Sequence, residues 1–265
     1  RVDFLLLCMN QLINMAAKSY YMFGGKMNVP LVLRGAIGRS WGQGAQHSQA
    51  FHSFFMHTPG LKVVAPTFAS DAKASMIAAI RDDNPVVYLE HRMLYSLKEH
   101  VPTSSHAGEI GKAKILRTGT DITIVGISHM VVESLRAQKH LENIDISAEI
   151  IDPIWLSPLD IDTIVDSVKK TGRLLVVDTA WLTCGVSSEI CMQVIERLQP
   201  NKAIQMQRMG FENTPCPTTK PLENMFYPNP SLIASKAYKM VFPIKKAWSP
   251  SISESEEIAK FRGPF

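Results

Sequence analysis

Short apolar runs alternate along this chain with segments whose hydrophobic residues recur at helical spacing, and that alternation restricts the fold more than any other feature. Residues 30–33, 61–65, 85–89, 122–127, 147–152 and 173–178 read as strands, several of them nearly continuous in Val, Ile and Leu. Residues 10–23, 48–55, 70–80, 131–141, 160–170 and 187–198 carry apolar positions three and four apart and read as helices. A strand that is apolar on both faces needs helices on both sides. The expected class is therefore α/β, with two doubly wound, mostly parallel sheets. A chain of 265 residues, 46% hydrophobic, is long enough to bury two such cores.

The alternation lapses once. Residues 96–111 are polar and contain Pro102, Thr103, Ser104, Ser105 and Gly108, which reads as a linker. The expected division is a first domain at 1–104, a second at 105–245 and a tail at 246–265. The tail holds Trp248, Pro250, several serines and a Glu-rich middle, and is expected to bury too little apolar surface to order itself.

Within this frame, the stretch from Gly38 to Gln49 stands out. Gly38, Gly42 and Gly44 allow backbone conformations closed to other residues, and they follow the strand at 30–33. His47 comes next, as the expected opening residue of the helix at 48–55. An imidazole there sits on a rigid element at a strand's C-terminal edge and titrates near neutral pH, which suits proton transfer. A helix-capping or solvent-facing histidine gives the same local pattern. The glycines form no complete dinucleotide fingerprint, and no phosphate-loop Gly-Lys-Ser/Thr occurs. Trp41, after Arg39, either narrows a channel or rests on the surface.

Composition removes several function classes. The apolar runs are too short to span a bilayer, so no membrane role is expected. A net charge of +4 is spread among acidic residues without a basic stripe, which argues against nucleic-acid binding. Cys8, Cys184, Cys191 and Cys216 form no Cys-x-x-Cys pair and lie mostly in apolar surroundings, so reduced, buried thiols in a cytosol-like compartment are expected. His47, His52 and His57 recur every five residues, which spreads them around a helix and does not suit a metal pair. Asp178 at a strand end is expected to bond loop amides, Trp181 to pack at a subunit interface, and Glu90-His91-Arg92 to form interface ion pairs or an active-site entrance. The chain opens at Arg1-Val2-Asp3-Phe4 inside an apolar pattern, as though a preceding segment belonged before it.

Several motifs together carry a resemblance. Ala45-Gln46-His47-Ser48-Gln49, Pro59-Gly60-Leu61-Lys62-Val63-Val64-Ala65-Pro66 and Ala79-Ile80-Arg81-Asp82-Asp83-Asn84-Pro85-Val86-Val87 are followed by Gly111-Lys112-Ala113, Val176-Val177-Asp178-Thr179-Ala180-Trp181 and Tyr227-Pro228. In this order, over roughly residues 3–240, the chain resembles the beta subunit of thiamine-diphosphate-dependent 2-oxoacid dehydrogenases, the first (E1) component. The resemblance implies a pyrimidine-binding domain and a transketolase C-terminal-type domain. It implies an alpha subunit partner in an alpha-2-beta-2 heterotetramer, with thiamine diphosphate between the subunits and its magnesium held by alpha. Oxidative decarboxylation of a 2-oxoacid would pass the acyl group to a lipoyl-bearing E2 acyltransferase core, in a bacterial cytoplasm or in a mitochondrial or plastid matrix.

Carried over residue by residue, the resemblance makes His47 the active-site histidine and Phe4 an aromatic residue against the aminopyrimidine, where an ordinary core phenylalanine would look the same. It also implies a potassium site formed by the carbonyls of Leu31, Ala79, Ile80 and Asp82 with Asn84, where a simple helix stop explains the same letters. The family's glutamate that promotes the cofactor's reactive tautomer would lie upstream of Arg1, so the sequence reads as an incomplete beta subunit. Two other functions fit the residues: an assembly module that docks a lipoyl-carrying core, and a transketolase or deoxyxylulose-phosphate synthase relative. The choice among pyruvate, branched-chain 2-oxoacids and acetoin stays open.

Overall fold

A computed structural model describes residues 1–39, 42–198 and 203–251. The chain begins in a helical rod: α1 (Val2–Leu5), a tight turn at Leu6–Cys8, a widened π-helical stretch at Asn10–Ala16, then α2 (Ala17–Met22). The helix thus starts eight residues before the expected position 10. Apolar residues Val2, Leu12 and Ala17 are buried along it, so the apolar run at its start packs as helix. Gly24 and Gly25, both at positive φ (61° and 77°), end it as expected.

The first sheet follows. β1 (Val32–Ile37) leads to the short helices α3 (Gly44–His47) and α4 (His52–Met56), then β2 (Lys62–Val64), α5 (Ala69–Arg81) and β3 (Val86–His91). β1 and β2 both pair with β3 in parallel. The strand expected at 30–33 lies two residues later at its start and four at its end. Pro30 has no N–H to donate, and the pairing of Val32 with Val86 sets where the ladder begins.

The second sheet contains β4 (Lys114–Arg117), β5 (Ile122–Gly126), β6 (Ala148–Asp152), β8 (Arg173–Trp181) and β9 (Gln205–Phe211), in the order β4-β6-β5-β8-β9. Its ladders are parallel except at the β4 edge. Between its strands run α6 (His129–Glu142), α7 (Ile161–Thr171) and α8 (Val186–Leu198), and α9 (Lys220–Phe226) and α10 (Pro230–Val241) close the series. Two mainly parallel sheets with helices between successive strands are the α/β class expected from the alternation. The sequence reading missed β4, β9, α9 and α10. β9 is only half-buried and reads Gln-Met-Gln-Arg-Met, so it lacks the continuous apolar signal of its neighbours.

One missed strand matters most. β7 (Trp155–Ser157) follows the polar linker in sequence, yet it pairs antiparallel with β2 and extends the first sheet to the order β1-β3-β2-β7. The two halves accordingly share a core. One continuous cluster runs from Phe55, Val63 and Leu89 to Leu156, Ile164, Val176 and Ile190. Each such fully buried side chain contributes roughly 1.5–3 kcal/mol.

The beginning of the tail also departs from expectation. Trp248 packs on Tyr238, with ring centroids 5.3 Å apart, and the Ser231 hydroxyl donates to the Pro250 carbonyl at 2.9 Å. A single large aromatic ring with a site on α10 is enough to hold residues 248–250. Residues 252–265 lie outside the described residues. Of the cysteines only Cys216 is buried. Cys184 is exposed in the turn after β8, at a positive φ of 54°.

His91 at the end of β3 stacks on His129 at the start of α6, with ring centroids 4.7 Å apart. Burial holds both imidazoles neutral, with His91 well below its usual range and His129 at about 3; Arg39 and Arg136 add repulsion toward a charged His129. In the unfolded chain each would protonate near 6.5. The native state is therefore fully favoured above that value and loses ground as pH falls from 6.5 toward 3, by roughly 1.4 kcal/mol per histidine at one unit below 6.5. Thermal unfolding followed from pH 7.5 to 5.5 should show a falling midpoint. The fall should be smaller in His129→Phe, which keeps a flat ring without a titrating proton.

Candidate functional site

The turn after β1 is built by glycine. Gly38 has φ 76°, and a Cβ there would lie 2.0 Å from His91 Nε2. Only a residue without a side chain fits between the strand end and the buried imidazole. Gly42 and Gly44 also have positive φ (55° and 59°), and Gly44 is backed by Thr218 Oγ1, 2.6 Å from where its Cβ would be. Ser40 and Trp41 lie outside the described residues, so the expectation for Trp41 goes no further.

His47 is the last residue of α3, not the opening residue of a helix at 48–55. The chain breaks from helix at Ser48–Phe51 and resumes at His52. Apolar periodicity alone reads through this break, because Phe51 at its end keeps helical spacing with Phe54 and Phe55 beyond it. The break turns His47 toward α1. His47 Nδ1 lies 2.6 Å from Asp3 Oδ2, and the Phe4 ring lies beside the imidazole at 5.5 Å, tilted by 35°.

Three side chains brought together from positions 3, 4 and 47 make one open site. Phe4 is 58% exposed and the His47 side chain 38%, so an apolar ring and an imidazole face the same accessible space. Phe4 is not a core phenylalanine. With Nδ1 donating to the Asp3 carboxylate, Nε2 of His47 is left with its lone pair available to a reacting group, an orientation suited to proton transfer. Arg1 completes the frame. Its Nη2 donates to the Gly38 carbonyl at 2.6 Å, and its Nε lies 3.9 Å from Asp3 Oδ1. Sequence reasoning missed Asp3 and Arg1, although the adjacency of Asp3 to Phe4 was a usable signal.

The second half clamps the loop from behind. The buried Arg39 guanidinium lies 4.5 Å over the Tyr227 ring and donates to Asn224 Oδ1 at 3.3 Å. Burial pushes the Tyr227 phenol and the Glu223 carboxyl above their ordinary ranges. His52, five residues after His47, donates from Nε2 to both carboxylate oxygens of Asp178, at 2.9 and 3.1 Å. Asp178 is thus committed to a buried imidazole and not to loop amides as expected; β8 runs on to Trp181, so Asp178 lies within the strand, facing α4, and not at its end.

The other polar residues singled out have partners within the chain. Glu90 pairs with Arg34 at 2.6 Å and accepts from the Tyr95 hydroxyl at 3.0 Å, while His91 points into the core. Strand alternation places neighbouring residues on opposite faces, which splits the Glu90-His91-Arg92 cluster. Trp181 donates from Nε1 to the Thr214 carbonyl at 2.9 Å and packs edge-on to Phe211.

The five residues of the cation reading surround the end of α5. Asp82 N donates to the Ala79 carbonyl at a long 3.4 Å, and Val86 N donates to the Leu31 carbonyl at 2.8 Å. Ile80 and Arg81 belong to the last turn of α5, where carbonyls lack intrahelical donors. The Asp82 carboxylate is taken by Asn84 N at 2.8 Å and by Lys62 Nζ at 2.9 Å. Carbonyl oxygens, not side-chain charge, are therefore what this corner offers a cation.

Residues 2–98 match the transketolase pyrimidine-binding domain, and residues 111–233 match the transketolase C-terminal domain. The chain is 41% identical over 238 residues to the beta subunit of acetoin:2,6-dichlorophenolindophenol oxidoreductase from Cupriavidus necator, spanning 90% of this chain and 70% of that one. It is 38% identical over 240 residues to the pyruvate dehydrogenase E1 component subunit beta of Rickettsia felis, spanning 91% and 74%. Against the mitochondrial counterpart of Caenorhabditis elegans it is 44% identical over 226 residues, spanning 83% and 64%. A split-gene transketolase solved as an inactive beta4 tetramer shares the fold, with a TM-score of 0.74 at 21% identity over 90% of this chain and 74% of that one. With both domain types in order and identities of this size over most of its length, the chain belongs to the family of transketolase-type beta subunits of 2-oxoacid dehydrogenase E1 components.

Proposed function

We propose that His47, oriented by Asp3, handles the proton of the reacting group at a thiamine diphosphate site that this beta subunit shares with an alpha chain. The observation that carries this reading is the 2.6 Å contact between His47 Nδ1 and Asp3 Oδ2 beside the exposed Phe4 ring. As a member of the E1 beta family, the chain is an oxidoreductase subunit that works with an alpha subunit. The residues present fit the cofactor's pyrimidine half: Phe4 offers a flat apolar face within reach of an imidazole, as a heteroaromatic ring requires. When bound, the cofactor supplies the carbon nucleophile that takes up a 2-oxoacid and releases carbon dioxide. Phe4 holds its ring in place, Asp3 fixes the tautomer of His47, and Nε2 of His47 gives or takes the proton as the acyl group passes to a lipoyl arm of an E2 core.

The face next to the site supports assembly with partner subunits. Along the first helical rod, Leu7 is 86% exposed and Tyr21 88%, with Met15, Met22 and Phe23 also open to solvent. A contiguous apolar face of this kind marks a protein–protein contact. An alpha chain and a second beta chain in an alpha-2-beta-2 heterotetramer would cover it. The alternative of a purely structural docking subunit gives no reason for His47, Asp3 and Phe4 to converge. We place potassium at the end of α5, with the carbonyls of Leu31, Ala79, Ile80 and Asp82 and the Asn84 side chain as ligands.

Three measurements on the complex co-expressed with its alpha chain check this reading. His47→Ala should lower 2-oxoacid-dependent acyl transfer by about 10²- to 10⁴-fold, the range typical of a lost proton-transfer group, while thiamine diphosphate still binds. Full activity in that variant would remove His47 from the chemistry. Asp3→Asn should lower the rate at unchanged cofactor affinity, and Phe4→Ala should weaken cofactor affinity; a reversal of these two effects would overturn the assigned roles. Potassium should raise the unfolding temperature relative to lithium, and Asn84→Ala should abolish that increment; an equal response in both proteins would place the ion elsewhere.

A further inference from the structure

A cavity of about 720 Å³ opens in the second half between β9, α9, α10 and residues 242–248. That size falls within the roughly 300–1,000 Å³ of small-molecule sites. Its lining is largely apolar, with an aromatic group on one wall. Tyr238 stands between Phe242 and Trp248, with ring centroids 5.4 and 5.3 Å away, and Phe226 faces them from α9.

The rim carries the opposite character. Lys236 and Lys239 from α10 and Lys245 from the following turn border the opening, against the single acid Glu212. Lys245 Nζ lies 3.5 Å over the centroid of the Phe242 ring, so the cation rests on the aromatic wall itself. Arg208 at the far end is committed to the Leu182 carbonyl and the Ser188 hydroxyl, which leaves the three lysines to set the field at the mouth.

From this arrangement we infer that the cavity binds an amphipathic anion: a flat or acyl apolar body against Tyr238, Phe242 and Trp248, with one negative head group at Lys236 and Lys239. The rings gain by removing an apolar body from water. The lysines distinguish an anion from a neutral compound of the same shape, since a neutral head leaves their charges uncompensated. Arg1, Asp3, Phe4 and His47 are not part of the lining, so the inference stands apart from the function proposed above.

The test uses the full chain assembled with its alpha chain and two fluorescent probes of nearly the same shape, 8-anilinonaphthalene-1-sulfonate and neutral N-phenyl-1-naphthylamine. The sulfonate is expected to bind at least tenfold more tightly. Lys236→Gln combined with Lys239→Gln should remove that preference while leaving the neutral probe within twofold; Lys239 is exposed and Lys236 half-buried, and glutamine keeps most of the side-chain length and polarity at both, so the variant folds. Ser235→Trp, which places an indole in the cavity, should weaken both probes. Equal binding of the two probes, or no effect of the lysine changes, would reduce the cavity to a nonspecific apolar patch and overturn the proposal. So would sulfonate binding to the isolated chain that disappears on assembly, which makes the cavity a subunit contact. Binding that appears only after removal of residues 252–265 would likewise assign it to the chain's own tail.

Discussion

A buried contact between His52 and Asp178 joins the segment that carries His47 to the middle of the second sheet, and the geometry of the site depends on it. Both side chains are almost fully shielded from water. Breaking such a pair by removing one partner typically costs about 3–5 kcal/mol, because the remaining polar group is left buried without compensation. The contact spans the two halves, so it holds α4, and with it the break that orients His47, against the interior of β8. The antiparallel pairing of β7 with β2 and the apolar cluster shared by both sheets fasten the same interface from the other side.

With that interface held, the loop after β1 has little freedom. His91 occupies the space where a side chain on Gly38 would go, Thr218 backs Gly44, and Arg39 lies across Tyr227. The front of the loop is held by Arg1 through the Gly38 carbonyl. Glycines thus serve two ends here: they permit the positive-φ backbone, and they let two halves of the molecule approach within contact distance. The imidazole that emerges is oriented by a carboxylate from the first helical rod, and that rod also presents the apolar face suited to a neighbouring subunit. On the proposed function, orientation of His47 and assembly share one element.

Some of this was legible in the residues. The strands at 61–65, 85–89, 122–127, 147–152 and 173–178 fell within a few residues of their observed places, because a continuous Val/Ile/Leu run is a local signal. His47 was singled out by the glycines before it, and the motifs from Ala45 to Pro228 carried the family resemblance through which Phe4 was picked out. The helix drawn through 48–55 failed because periodicity does not register a backbone break when aromatic residues keep helical spacing across its end. β9 escaped notice because its alternation of glutamine and methionine is weak, and β7 because three residues leave almost no pattern.

What the sequence determined by itself is the set of properties that depend on near neighbours: the α/β class, most helices and strands, the glycine-built loop, and the motifs that mark the family. What only the tertiary structure decided are pairings between residues far apart in the chain. Asp3 with His47, His52 with Asp178, His91 with His129 and β7 with β2 join positions 44, 126, 38 and roughly 90 residues apart. No local periodicity encodes such partners, since each follows from how buried surfaces fit once both sheets are formed. A polar side chain also acquires its role only when folding fixes what stands opposite it and how much water remains.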